Sequence, residues 1–334
     1  MRFRSQMPLA TLAAFLLCFP GQPAGARSEA SCPAVPPQEV LAGVRWYADP
    51  ANSVVDPQRR RQHEQSMKPL HDLMRLVSAA ADHVIDGFVP GDPDCARANL
   101  EAWAAHRAIL SRPTWSVPLA EQTIAVAGLN LAALKFERAG RPLSGAARTW
   151  IGEATRVIVD TYRANTQRGN LYAWSGVAAA ANDLLTGSPA FETYSSAVWR
   201  DGLAAIRADG YVEAELERKA RALIYHNYLR SALVLLDRLR SQAGNSATPA
   251  ELEALARLEA VVNAGACNDK LIATLAGARQ EPLGRWEFSI GGYLGEARFN
   301  PDWARCTRGQ SDLSGVTYGG RFDLTDRVLR RPTP

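Results

Sequence analysis

The stretch ELERKARALIYHNYLRSALVLL, residues 215–236, has the apolar spacing of a helix that closes a core. Its centre nevertheless carries Tyr225, His226, Asn227 and Tyr228, with Arg218 and Arg221 just upstream. Arg218 and Tyr225 are seven apart, two helical turns, and Arg221 lies between them at three and four. Side chains lean toward a helix N-terminus, so Tyr225 is expected to point back toward both arginines. A phenol beside guanidinium groups has its anionic form favoured and becomes a better base. The same arginines can grip a carboxylate with two hydrogen bonds each. One stripe thus offers an anion clamp and a proton carrier. The plainer reading is a core tyrosine beside a solvated basic face. His226 and Asn227 fall on other faces and are expected to be structural.

Three further clusters are polar or aromatic without a recognised motif. In TQRGNLYAWSG, residues 166–176, Gly169 follows one helical run and Asn170 opens the next, where it is expected to cap. Gln167, Arg168, Asn170 and Tyr172 then crowd a helix mouth that favours anions. VRWYADP, residues 44–50, carries Trp46 and Tyr47. WEFSIGGYLGEARFNPDW carries Trp286, Tyr293, Glu296, Arg298 and Trp303. Aromatic and arginine side chains of this kind suit sugar stacking and carboxylate binding.

Other chemistries find no support. There is no G-x-S-x-G elbow, phosphate-binding loop, H-E-x-x-H or calcium loop. The five histidines are single; His63 and His71, eight apart, make a weak pair at best. No metal and no cofactor are expected. Formal charge is only +4, and Arg59–Arg60–Arg61 is the one tight basic run, so a nucleic-acid partner is not expected.

The elements that must position these residues are helical. Apolar residues recur at three and four through 63–86, 95–110, 119–139, 145–165, 170–185, 194–210, 215–236 and 248–265. Gly91 with Pro93, Gly140 with Pro142 and Thr248-Pro249 punctuate them. After residue 268 the pattern predicts loops, a short helix and a small extended piece. Helices of this length on short polar loops run antiparallel, as a bundle, a solenoid or a toroid of hairpins. Residues 1–26, with Arg2 and Arg4 ahead of an apolar run and small residues at 24–26, read as a secretory signal peptide. Beyond them no membrane span is expected, which places the product in the periplasm or outside. Four of the five cysteines remain, and export favours disulfides. Of the three pairings, Cys32–Cys95 with Cys267–Cys306 is favoured.

The chain resembles the alginate lyase family of bacterial periplasmic enzymes. The likeness runs through SCPAVPP (31–37), DCARANLEAWA (94–104), LAALKFERAGRPL (131–143), DGYVEAELERKARALIYHNY (209–228), YLGEARF (293–299) and GGRFDLTDRV (319–328). It implies an all-α fold, an incomplete α/α toroid formed by residues 27–334 as a single domain. It also implies cleavage of a polyuronate such as mannuronate-rich alginate by β-elimination. Tyr225 stands at the family's catalytic tyrosine and Arg218 at its substrate-binding arginine. QRGNLYAW departs from the family's Asn-Asn-His-Ser-Tyr-Trp motif. Depending on register the family histidine falls on Asn170 or Arg168; aligned on Tyr172, Gly169 takes the place of the asparagine and Asn170 that of the histidine. Trp46 stands where the family has a lysine. The expected site is therefore Tyr225, Arg218 and Asn170 for catalysis, with Arg168, Arg221, Trp46, Tyr172, Trp286 and Arg298 binding an anionic polysaccharide. The alternative is an impaired, polyuronate-binding protein that assists exopolysaccharide export or modification. A monomer is the expected state.

Overall fold

The computed structural model describes residues 32–112, 116–165, 168–284, 306 and 314–330. The chain divides into two compact units, Met1–Pro33 and Ala34–Pro334. All that follows concerns the second.

Among the described residues, twelve helices follow one another: α1 (Pro57–Ser66), α2 (Lys68–Ile85), α3 (Pro93–Ala105), α4 (Ser116–Arg138), α5 (Gly145–Arg163), α6 (Asn170–Thr186), α7 (Glu192–Ala204), α8 (Glu213–Leu216), α9 (Ala222–Gln242), α10 (Pro249–Cys267), α11 (Lys270–Ala276) and α12 (Phe322–Arg330). A two-stranded antiparallel hairpin, β1 (Ser314–Gly315) and β2 (Gly320–Arg321), precedes α12. Of the punctuation read from the sequence, Thr248 acts as the expected cap, and Asp92 and Ser144 cap the helices that follow the other two breaks. Asp92 and Ser144 accept backbone N–H groups at the starts of α3 and α5, and Thr248 with Glu251 forms a reciprocal capping box on α10.

The helices form an incomplete α/α toroid. Helices α2, α4, α6 and α9 pack in succession as an inner layer, and α3, α5, α7 and α10 back them from outside. Helix α6 sits between α4 and α9 and is buried on nearly every face. Its run of alanines permits this, because small side chains let the neighbouring backbones approach. Gly176 shows the limit: a Cβ there would come within 2.6 Å of Val198 on α7. Helix α4 is long and apolar enough to cross a membrane by composition, yet its apolar window is 83% buried in the protein. Asn182 donates to Asn130 (2.9 Å) and Asn130 to Thr155 (2.9 Å), so α6, α4 and α5 share one satisfied polar chain in the core.

Two continuous runs in the sequence are broken in the fold. The run from 63 to 86 splits at Met67, just ahead of Pro69, into α1 and α2. The run from 215 to 236 splits more sharply. α8 ends at Leu216, Lys219 takes a left-handed φ of 53°, residues 219–221 form a 3₁₀ turn, and α9 starts only at Ala222. A distant segment holds this break in place. The Gln280 side chain accepts from Leu223 N–H (3.0 Å) and donates to the Lys219 carbonyl (2.9 Å), while Glu281 N–H donates to the Ala220 carbonyl (2.7 Å).

The C-terminal hairpin is clasped to the ring by a buried charge. Lys135 donates to Asp82 (2.7 Å) and to the carbonyls of Gly319 (2.8 Å) and Arg321 (3.1 Å). Asp82 also accepts from Arg321 N–H (2.8 Å). Cys267 pairs with Cys306 as expected, closing a separation of 39 residues, and Cys95 is disulfide-bonded.

Candidate active site

Because of the break at Lys219, Arg218, Arg221 and Tyr225 do not line one helical stripe; a turn folds them together instead. The Arg218 guanidinium lies 4.7 Å from the centre of the Tyr225 ring and that of Arg221 lies 5.3 Å from it. Tyr225 is half-buried in the first turn of α9. Its hydroxyl lies 3.2 Å from that of Tyr47, and Arg221 donates a short hydrogen bond to the Tyr47 oxygen. Burial pushes the Tyr47 phenol up, and the neighbouring Tyr225 adds to this against the pull of Arg221. Tyr47 therefore keeps its proton. With Arg221 a donor only, the Tyr47 oxygen accepts from Arg221 and its O–H is free to donate to Tyr225. Arg221 is anchored from behind by Glu281 at 3.2 Å.

Asn170 reaches the same cluster through a residue the sequence did not single out. Glu215, fully buried in α8, accepts from the Asn170 backbone N–H (2.8 Å) and from its side-chain amide (3.3 and 3.4 Å). The same carboxylate faces Arg218 at 3.9 Å. Burial raises the Glu215 carboxyl, while Arg218 and Asn170 pull it back. Asn170 is thus the first helical residue of α6 and Gly169 its cap, where Asn170 was expected. The cap lacks a side chain for a reason: a Cβ on Gly169 would stand 3.0 Å from Glu215 Oε1. The N-termini of α6 and α9, two inner helices, hence open onto one cluster of Asn170, Glu215, Arg218 and Tyr225.

The other expected residues divide. Arg168 and Tyr172 are engaged by Asp201 on α7, Arg168 at 3.4 Å and the Tyr172 hydroxyl at 3.0 Å, with Arg168 stacked 4.5 Å over the Tyr172 ring. Burial, then Asp201, pushes the Tyr172 phenol up to about 12. Trp46 is half-buried, tilted 5.0 Å from Tyr47, stacked on His63 and covered by Arg60 at 5.3 Å. Trp286 and Arg298, with Tyr293, Glu296 and Trp303, lie outside the described residues. His226 and Asn227 are structural: His226 donates to the Ala222 carbonyl (2.8 Å) and accepts from Val212 N–H (3.0 Å), and Asn227 accepts from Arg230 (2.7 Å). Tyr47 stood beside Trp46 in a noted aromatic pair, but nothing local announced its partner.

Residues 122–268 match the alginate lyase family model. A polysaccharide lyase of Stenotrophomonas maltophilia (strain K279a) is 27% identical over 266 residues, which span 78% of this chain and 80% of the relative. An alginate lyase of Azotobacter vinelandii is 23% identical over 268 residues, spanning 76% and 71%. The fold is similar to that of alginate lyase A1-III complexed with tetrasaccharide, with a TM-score of 0.75, 18% identity and coverage of 93% of this chain and 90% of that one. A structure of alginate lyase A1-III from Sphingomonas species A1 gives a TM-score of 0.66 at 18% identity, covering 88% and 86%. The matched segment, the relatives and the ring of helices agree in one likeness: the chain is similar to the alginate lyase family of polysaccharide lyases.

Proposed function

We propose that this protein is an exported, single-domain lyase that cleaves a polyuronate by syn β-elimination, with Tyr225 as base and then acid. The signal-like residues 1–26 and the disulfides support export. The observation that carries the chemistry is the Tyr225 hydroxyl, which meets the Tyr47 hydroxyl at 3.2 Å with Arg218 and Arg221 against its ring.

Elimination needs the uronate carboxylate neutralised, a base for the C5 proton and an acid for the departing O4. Arg218 pairs with the carboxylate and stabilises the negative charge that spreads into it. Tyr225, as phenolate supported by the Tyr47 O–H and both arginines, breaks the C5–H bond and takes the proton. The electron pair forms the C4=C5 double bond, C4–O4 breaks, and O4 receives the proton from Tyr225, which returns to phenolate. One residue suffices because C5–H and O4 share a ring face in β-D-mannuronate and β-D-glucuronate. Elimination from L-guluronate needs groups on both faces, and the family histidine that could supply the second is absent. Mannuronate-rich alginate or a related glucuronate polymer is therefore the favoured substrate, with Arg168, Trp46 and Tyr172 along its path.

A second reading has its own observation. The Asn170 amide, which would face the substrate carboxylate, is already taken by Glu215, and Gly169 offers no replacement. On that reading the groove binds a polyuronate without cutting it. A spectrophotometric assay separates the two: polymannuronate, polyguluronate, polyglucuronate and hyaluronan are each followed for absorbance of the new double bond. Signal on a syn substrate supports the lyase; binding without signal supports the binding protein.

A further inference from the structure

His63 and His71, the weak pair in the sequence, meet on one carboxylate. His63 Nε2 lies 3.0 Å from Glu121 Oε1, and His71 Nε2 lies 3.2 Å from Oε2. Burial raises the Glu121 carboxyl, but the hydrogen bonds from His63 and His71 overcome this and hold it at about 2. An ionised carboxylate only accepts, so both imidazoles donate Nε2–H to it. The cluster draws on α1, α2 and α4, at the edge of the proposed site.

His63 is 2% exposed, and among the described residues its Nδ1 has no hydrogen-bond partner. Gly43 packs on that side of the ring, where a Cβ would approach Nδ1 to 3.2 Å. The bond to Glu121 is therefore what fixes how the ring faces. That ring stacks on Trp46, with centroids 5.5 Å apart and planes 17° from parallel. Trp46 abuts Tyr47, whose hydroxyl meets Tyr225. Between residues 43 and 56 the chain forms no helix. It closes on itself through Ala48 N–H to Val54 (2.9 Å) and Asp56 N–H to Trp46 (2.8 Å). Such a loop takes its position from the side chains that dock it.

We propose that Glu121, acting through His63, is a positioning residue: it sets the Trp46–Tyr47 segment so that the Tyr47 hydroxyl stands against Tyr225. The proposal rests on Tyr225 being the reacting group, but its structural half can be read without activity. His71 shares the carboxylate without stacking on Trp46 and so supplies the control.

The test compares Glu121→Leu, which removes both acceptors, Glu121→Gln, which keeps one, and His71→Gln. Amide hydrogen exchange is read on peptides covering 44–56, and kcat and KM on whichever polyuronate the wild type cuts. Glu121→Leu should speed exchange at Ala48 and Asp56 and lower kcat, each roughly tenfold, with KM nearly unchanged. Glu121→Gln should fall between it and wild type, and His71→Gln should match wild type in both readouts. Wild-type exchange over 44–56 in Glu121→Leu overturns the proposal, and so does a rise spread evenly over α4, α6 and α9. If wild type cuts no polyuronate, the reading of Tyr225 fails separately, and exchange alone decides whether Glu121 positions the segment.

Discussion

The hydroxyls of Tyr47 and Tyr225, 178 residues apart in sequence, lie 3.2 Å from each other. Arg221 donates to the first from one side, which leaves the Tyr47 O–H free to donate to the second. In Tyr47→Phe the base loses that donor while the ring packing stays. The expected result is a kcat lower by about a hundredfold, within the range for one lost donor to developing charge, with binding of the polymer little changed. Steady-state kinetics paired with a binding measurement check this.

Gly169 and Glu215 are matched in shape. An asparagine at position 169 puts a Cβ 3.0 Å from Glu215 Oε1, and the carboxylate must yield. Gly169→Asn should cost about 1–3 kcal/mol in urea unfolding, as small-to-large changes in a packed site do. Adding Glu215→Asp, which retracts the carboxylate, should recover part of that loss. A neutral Gly169→Asn would mean that Glu215 is not fixed by Asn170 and Arg218.

Most of the helices were legible because apolar residues recur along them at three and four; α1, whose only buried residue is His63, is an exception. Position 219 was not. Lysine carries no mark of a left-handed φ, and the break is imposed by Gln280 and Glu281 from about sixty residues away. Arg218, Arg221 and Tyr225 were expected to meet and do, through a turn instead of a helical stripe. Glu215 escaped notice for a similar reason: its partner Asn170 is 45 residues distant, and a glutamate before a helix usually reads as solvated. The noted Trp46–Tyr47 pair yielded Trp46 as a candidate, whereas the polar contact to Tyr225 belongs to Tyr47.

Acid should weaken the fold through His226. Burial pushes this imidazole down to about 4, against the hydrogen bond to Ala222, from 6.5 in the unfolded chain. Between those values the unfolded chain binds the extra proton, so stability is full above about pH 6.5 and falls as the pH drops toward 4. The loss is on the order of 3 kcal/mol at the acid end. Urea unfolding at a series of pH values should show it, and His226→Gln should flatten that part of the curve.

The buried clasp of Lys135 and Asp82 holds the C-terminal hairpin to α2 and α4. Lys135→Met leaves the Asp82 charge uncompensated and should cost roughly 3–5 kcal/mol. Adding Asp82→Asn should return part of it. Thermal unfolding with limited proteolysis near residues 314–330 reads both effects.

The most direct test is Tyr225→Phe, measured for turnover and for affinity on a mannuronate or glucuronate polymer. Tyr225 as base and acid predicts that formation of the double bond falls by at least about a thousandfold, while the polymer still binds through Arg218 and Arg221 with near wild-type affinity. A Tyr225→Phe protein that cuts as fast as wild type would contradict the account.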